Sequence, residues 1–352
     1  MKKAVLFDPS VGSINLGDHI ISRSARAQLD FLLDNTFVVT LSTHTPLSLH
    51  MRHFMDADFR LALGSNLLAG KIGLMAPHWD INAFTAPFAA PVTLVGVGWR
   101  GYHDDSTAYS RSVYRRALSA TAIHSVRDNY TLYQISRMGF KNVVNTGCAT
   151  MWSLTPEHCA TVPTTKSRNV VTTVTDYDRD PARDLQMLRT LEGSYDRVRL
   201  WPQGYGDAEY ASLLSAEGAE VELLAPTIEA FDQALVEDAD FVGTRLHAGI
   251  RALQLGVRSI VVAIDNRAVE KHRDFGLPIL MRHDIGGLAE LVECDFDTSI
   301  HMPLDAIEYW KSQFSTNAPS LDSRRSAMID LVRFGLQARK RLGSRKVARS
   351  ER

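Results

Sequence analysis

The chain has 352 residues, 45% of them hydrophobic, and a net charge of −1. That length suits two domains better than one core. Balanced charge offers no global field for nucleic acid, and three cysteines without a C-x-x-C pair (Cys148, Cys159, Cys294) suggest neither a disulfide framework nor a thiolate zinc site; a reducing cytoplasm is expected.

The first residues begin like a signal peptide, but Asp8 and Pro9 cut the apolar run short, so residues 4–7 read as a strand. A polar loop follows, then a helical pattern over residues 19–33. Further strands are predicted at 37–41, 59–63, 92–97 and 122–126. Gly64-Ser65-Asn66 follows the third strand and Gly98-Trp99-Arg100-Gly101 the fourth. Arg127-Asp128 precedes a helix that Gly139 ends. Val143-Val144 then leads to Gly147-Cys148. Such strand, loop, helix punctuation is the signature of a doubly wound parallel sheet.

Prolines and polar residues over 155–166 mark a linker. A second α/β unit begins at Asn169. Its helix is predicted over 181–191, a strand over 197–200 ending at Trp201-Pro202-Gln203-Gly204, a strand over 220–224 and a helix over 230–237. Helical spacing returns over 306–342, with a bend at Asn317-Ala318-Pro319. The expected division is an N-terminal Rossmann-like domain (1–160), a C-terminal one (167–302), C-terminal helices (303–342) and a basic tail (343–352). The basic stretch that begins at Arg339 could meet an anionic membrane surface, but reads first as a solvated terminus. No run of about 18 apolar residues exists, so no membrane span is predicted.

Residues 238–265 carry the most chemistry. They read as strand, turn, helix, strand. Thr244 is expected to cap a helix whose buried stripe is Leu246, Ile250 and Leu253; Gly256 ends it, and a β-branched run follows. Arg245 and His247 therefore fall in the first helical turn, past the carboxyl end of a strand, where open α/β sheets bind ligands. The helix N-terminus favours an anion, Arg245 adds a planar double donor, and His247 can titrate near neutral pH.

These segments, in order, resemble the polysaccharide pyruvyl transferase family. The resemblance runs from about Asn15 to about Asp265. It rests on Asn15-Leu16-Gly17-Asp18, Gly64-Ser65-Asn66, Gly96-Val97-Gly98, Ser125-Val126-Arg127-Asp128 with Gly139, Gly147-Cys148, and Gly243-Thr244-Arg245-Leu246-His247-Ala248 followed by a strand and Asp265. Three departures stand out. The turn at Gly64 is less rich in glycine, Arg258 stands where a proline is common, and Arg267 stands where a lysine is common.

The resemblance implies an α/β, GT-B-like fold: two Rossmann-like doubly wound domains facing a cleft, the N-terminal one on the acceptor side and the C-terminal one on the donor side. It also implies transfer of the pyruvyl group of phosphoenolpyruvate to two hydroxyls of a sugar, forming a cyclic ketal. The acceptor would be a cell-surface polysaccharide or its precursor, free, nucleotide-linked or lipid-linked. This is exopolysaccharide biosynthesis for the cell envelope, placed in the cytoplasm or at the inner face of the membrane. No cofactor and no metal are expected beyond phosphoenolpyruvate as donor substrate.

On this reading His247 is acid or base, and Asp18 either deprotonates a sugar hydroxyl or caps the helix after it. Arg245 and Arg127, from opposite halves, bind the donor, with Leu246 and Asp265 beside them; Asp265 could instead merely end a strand. Arg127 has a plainer alternative in a surface pair with Asp128, itself expected to cap a helix. Asn15, Gly17, Gly98 and Gly147 shape loops. His103, His124, Trp99, Trp201 and Gln203 rest on strand-end location alone and are read as structural, and Cys148 as a buried thiol. Acceptor recognition is expected from loops 43–50 and 74–88. The alternatives are a GT-B glycosyltransferase using a nucleotide sugar, and a non-catalytic glycan-binding protein on the same scaffold.

Overall fold

The apolar run Ala4-Val5-Leu6-Phe7 has no solvent exposure and forms the centre of β1 (Lys2–Asp8). The computed structural model describes residues 1–47, 49–73, 78–102 and 105–315. His103, the 317–319 bend, the basic tail, and the parts of the two acceptor loops at Ser48 and at 74–77 lie outside the described residues.

In the first half, β1, β2 (Thr36–Ser42), β3 (Phe59–Leu63) and β4 (Thr93–Val95) form a parallel sheet ordered β2-β1-β3-β4. A second parallel pair, β5 (His124–Val126) and β6 (Val143–Asn145), continues it. The join is a Val97–Val126 bridge and the Gly96 N–H donating to Ser125 Oγ at 2.7 Å. The helices are α1 (Leu16–Gln28), α2 (Asp30–Leu33), α3 (Ala86–Ala89), α4 (Ala108–Ala117) and α5 (Asn129–Arg137). The single helix expected over 19–33 is thus two. It begins earlier because Asn15 caps it, and it breaks at Leu29.

The second half follows α6 (Pro156–Cys159). Its strands are β7 (Asn169–Thr173), β8 (Arg197–Leu200), β9 (Glu222–Leu223), β10 (Ala239–Gly243), β11 (Ser259–Ala263) and β12 (Ile279–Met281). All pair in parallel in the order β12-β11-β10-β7-β8-β9. The helices are α7 (Pro181–Ser194), α8 (Asp207–Ala216), α9 (Ile228–Leu235), α10 (Leu246–Gln254), α11 (Asn266–Phe275), α12 (Leu288–Glu293) and α13 (Leu304–Ser312). Among the described residues no helix is long and apolar enough to cross a membrane.

Strand order fixes where a ligand can sit. It reverses between β1 and β3 in the first half and between β7 and β10 in the second. At such switch points the strand-end loops diverge and leave a crevice. The two crevices face each other, because α1 packs on α10 across the seam. The seam has its own core: Leu6, Leu61 and Val95 of the first half join Leu246, Ile250 and Leu253 of α10, and Trp310 of α13. Each such side chain contributes about 1.5–3 kcal/mol by leaving water. Exposed ion pairs across the seam, such as Arg23–Glu229, weigh little beside that core.

The last described helix returns to the first half. Trp310 lies 5.6 Å from Trp152, and Gln313 bonds the backbone of Ile123 in both directions, at 2.8 and 3.0 Å. Arg258, the departure from the expected proline, is fully buried. It pairs with Asp240 at 2.7 Å and donates to the carbonyls of Val292 and Cys294. Its role is structural.

Candidate active site

Twelve residues from the facing crevices line one cavity. Asn15, Asp18, Ile21, Ser65, Asn66 and Arg127 come from the first half; Tyr177, Gln203, Arg245, Leu246, His247 and Arg267 come from the second. Asn15, Asp18, Arg127, Arg245, Leu246 and His247, singled out in the sequence, therefore converge. The free volume is about 20 Å³, room for little more than one water.

The first-half wall is built at the start of α1. Asn15 has extended backbone, and its Oδ1 accepts from Gly17 N–H at 3.1 Å, capping the helix. The same oxygen accepts from Gln203 Nε2 at 3.0 Å, and Leu16 N–H donates to Gln203 O at 2.8 Å. The two halves are stitched at this point. A Cβ at Gly17 would come to 2.7 Å from Gln203 Nε2, so a larger residue there would displace the Gln203 side chain from its bond to Asn15. Asn15, not Asp18, is the cap. That leaves the Asp18 carboxylate to accept from Ser13 Oγ at 2.7 Å, and burial pushes its pKa upward against Ser13, His44 and Arg267.

Three arginines meet here, each anchored by a carboxylate. Arg127 Nε donates to Asp128 at 2.9 Å and its Nη2 to Trp99 O at 3.3 Å. Asp128 also caps α5; burial would raise its pKa, but Arg127 and Thr131 hold it below the usual value. Arg245 forks onto Asp207, with Nε at 2.9 Å and Nη2 on the other oxygen, and Nη2 also reaches Asp176 at 2.7 Å. Asp207 is fully buried and accepts from Gly204 N–H and Gln203 N–H as well. Arg267 Nε donates to Asp265 at 2.8 Å, and its Nη2 to Tyr177 Oη. The Tyr177 ring lies 4.9 Å from the Arg245 guanidinium and 5.8 Å from that of Arg267.

The Arg245 fork expected to face a ligand is therefore spent on Asp207. What remains is Nη1, which carries no hydrogen bond in Arg127, Arg245 or Arg267 among the described residues. Thr244 does not cap α10; its hydroxyl bonds Thr175 and Thr173 O, and Arg245 itself holds the cap position without a side-chain bond. The start of α10 therefore keeps free N–H groups.

His247 sits in that first turn, 7% exposed, and its imidazole has no hydrogen-bond partner among the described residues. Burial drives its pKa well below the usual histidine value, and the charges of Lys271, Arg267 and Arg127 push the same way. Burial and these charges favour the neutral imidazole.

Asp265 does not line the cavity. It caps α11 and fixes Arg267, which does line it. Gly98 is also outside the lining, and its reason is space, because a Cβ there would run into the Arg127 guanidinium. Gly147 has a φ of +76° in the turn after β6. The structural readings of three residues fit their places: His124 is buried between Leu94 N and Ser119 O, Trp201 stacks on Phe231 at 4.1 Å, and Cys148 is buried. Gln203 departs from that reading, since it lines the cavity and its Oε1 is buried without a partner. Tyr177, Ser65, Asn66 and Arg267 were not singled out as site residues. Each lies at a switch point or follows a capping aspartate, a signal that needs the strand order to be read. Among the described residues, no three His, Cys, Asp or Glu side chains converge to hold a metal.

Known proteins agree with this architecture. The chain is similar to MnaA of S. aureus solved with UDP (TM-score 0.53, 12% identity, 91% of this chain and 99% of that one). It is also similar to a putative UDP-N-acetylglucosamine 2-epimerase from Listeria monocytogenes (0.52, 11%, 88% and 95%). A third is the UDP-GlcNAc 2-epimerase of Methanocaldococcus jannaschii in complex with UDP-GlcNAc and UDP (0.50, 10%, 94% and 99%). At such identities the likeness shows the fold, which is GT-B-type. No curated protein sequence matches the chain. The family model described as polysaccharide pyruvyl transferase matches residues 15–266, from the Asn15 cap to the first residue of α11 and thus across nearly every wall of the cavity. The chain belongs to the polysaccharide pyruvyl transferase family and is a transferase.

Proposed function

We propose that the cavity binds phosphoenolpyruvate and moves its pyruvyl group onto two hydroxyls of a sugar in a cell-surface polysaccharide or its precursor. The observation that carries this reading is the set of three carboxylate-anchored guanidinium groups beside a neutral histidine, with no partner for their Nη1 atoms or its imidazole among the described residues. Phosphoenolpyruvate carries a phosphate and a carboxylate, and several fixed cationic donors suit two anionic groups better than one does.

Chemistry follows from the charges. The bound polyanion offsets the field of Arg127, Arg267 and Lys271 on His247, so the imidazole takes up a proton. His247 passes it to the methylene carbon, which becomes a methyl group and leaves C2 electrophilic. A sugar hydroxyl attacks C2 as Asp18 accepts its proton. The C2–O bond to phosphate then breaks, and the second hydroxyl closes the ketal. Of the two hydroxyl protons, one restores the proton given to carbon and the other leaves on phosphate. Opening and closing of the halves admits substrate and excludes water.

The test is thermal unfolding with phosphoenolpyruvate, UDP-GlcNAc and inorganic phosphate. A ligand that binds only the folded protein raises the midpoint, by about 2.7 kcal/mol of stabilisation at 100 times its Kd. The expected result is a rise with phosphoenolpyruvate that exceeds that with phosphate and is lost in Arg127→Ala. A rise with UDP-GlcNAc and none with phosphoenolpyruvate would replace this reading by nucleotide-sugar chemistry.

A further inference from the structure

Lys271 is fully buried, and its Nζ has no hydrogen-bond partner among the described residues. Lysine is almost never buried in this way without a pairing group. It lies on α11 four residues after Arg267, on the same face of the helix as that cavity residue. Its charge acts on Arg127 and Asp128 ahead of α5, on Cys148 after β6, on Arg267, and on His247 at the start of α10.

The neighbouring acids on its own helix are engaged elsewhere. Glu270 accepts through Oε1 from Tyr102 at 2.7 Å and Arg273 at 2.6 Å, while its buried Oε2 bonds neither Lys271 nor any other described residue; Asp274 accepts from Asn129 at 2.6 and 2.9 Å. Around the cavity the other cations come with partners: Arg127 with Asp128, Arg245 with Asp207, Arg267 with Asp265. Lys271 differs from them in that its Nζ bonds no carboxylate among the described residues. Burial brings its pKa down to about 8, so it is mostly protonated at neutral pH and its charge is present at a cost to folding.

We infer that Lys271 is a positioning residue whose charge, with no hydrogen-bonded counter-ion, adds positive potential on the His247 side of the cavity, and that a bound polyanion is its functional counter-charge. The identity of that polyanion as phosphoenolpyruvate rests on the function proposed above; the electrostatic role does not.

The test is Lys271→Met, which keeps the length of the side chain and removes the charge. Thermal midpoints are measured with and without phosphoenolpyruvate, UDP and inorganic phosphate, on either side of pH 8, together with KM and kcat. Below the folded-state pKa the buried charge disfavours folding, so the unliganded variant melts at or above the wild-type midpoint near neutral pH. Its affinity for phosphoenolpyruvate falls about tenfold or more, seen as a raised KM with a smaller change in kcat. Wild-type affinity declines as pH rises through 8, and that of the variant does not. A merely structural lysine gives the opposite pair, a lower midpoint with unchanged affinity, and would overturn the inference. If wild type ignores phosphoenolpyruvate but binds UDP, and the variant loses UDP, the inference holds and the donor assignment fails. If no anion stabilises the wild type, both fail. Lys271→Gln guards against a packing defect peculiar to methionine; failure of both variants to fold would make Lys271 structural and overturn the inference.

Discussion

Replacing His247 by alanine lowers kcat for pyruvyl transfer by about 10²–10⁴-fold, the usual worth of one positioned acid or base. The fold should survive, since the imidazole bonds no described neighbour and α10 keeps its apolar stripe of Leu246, Ile250 and Leu253. Phosphoenolpyruvate binding should survive too, because the arginines remain. The variant therefore separates chemistry from binding. Steady-state kinetics with matched binding measurements would check this; near-normal turnover would remove His247 from the proton-transfer role. A pH signature accompanies the change. The unfolded chain takes up a proton at His247 near pH 6.5 that the folded chain, with this imidazole buried, disfavours. The unfolded state thus binds more protons, and wild-type stability falls as pH drops through that value. His247→Ala loses that part of the acid sensitivity.

Asp207→Ala should cost roughly 3–5 kcal/mol of stability, the penalty for stripping the partner from a buried ion pair. Arg245 would lose both bonds of its fork, and the N–H groups of Gly204 and Gln203 would lose their acceptor. Asp176, more exposed and bonded through one nitrogen, cannot replace it. Because Arg245 would swing away from the cavity, anion-dependent stabilisation should fall with it. Denaturant unfolding with and without phosphoenolpyruvate measures both losses. An intact midpoint would mean that Arg245 is not held by Asp207. The comparison with Asp176→Ala is informative, since that pair is partly solvated and its loss should cost much less.

The sequence exposes the parts of this molecule that depend on local pattern. The β-branched runs at β7 and β11 and the Arg245-Leu246-His247 turn are local, and the structure places them as their spacing implies. What it conceals is long-range. Asp207 lies 38 residues from Arg245 and Asp176 lies 69 away, and nothing in their neighbours marks them as its anchors. Arg245 is not an open fork because a buried guanidinium requires a carboxylate. Gln203 was visible at a strand end, but its place in the wall depends on Asn15, 188 residues distant. Tyr177 becomes a site residue only once β7 and β10 are known to be neighbours. The end of the last described helix behaves in the same way: Trp310 and Gln313 belong to the first half by packing, although they follow the second in the chain.

The central claim is that three anchored arginines and a neutral histidine serve pyruvyl transfer. The most direct measurement is incubation of the enzyme with phosphoenolpyruvate carrying ¹³C at C2, in the presence of candidate saccharides, followed by NMR of the products. Pyruvyl transfer gives a new ketal carbon resonance attached to a sugar, phosphate released only when that sugar is present, and loss of both in His247→Ala. Phosphate release with no ketal, or a labelled donor left intact while a nucleotide sugar is consumed, would contradict it.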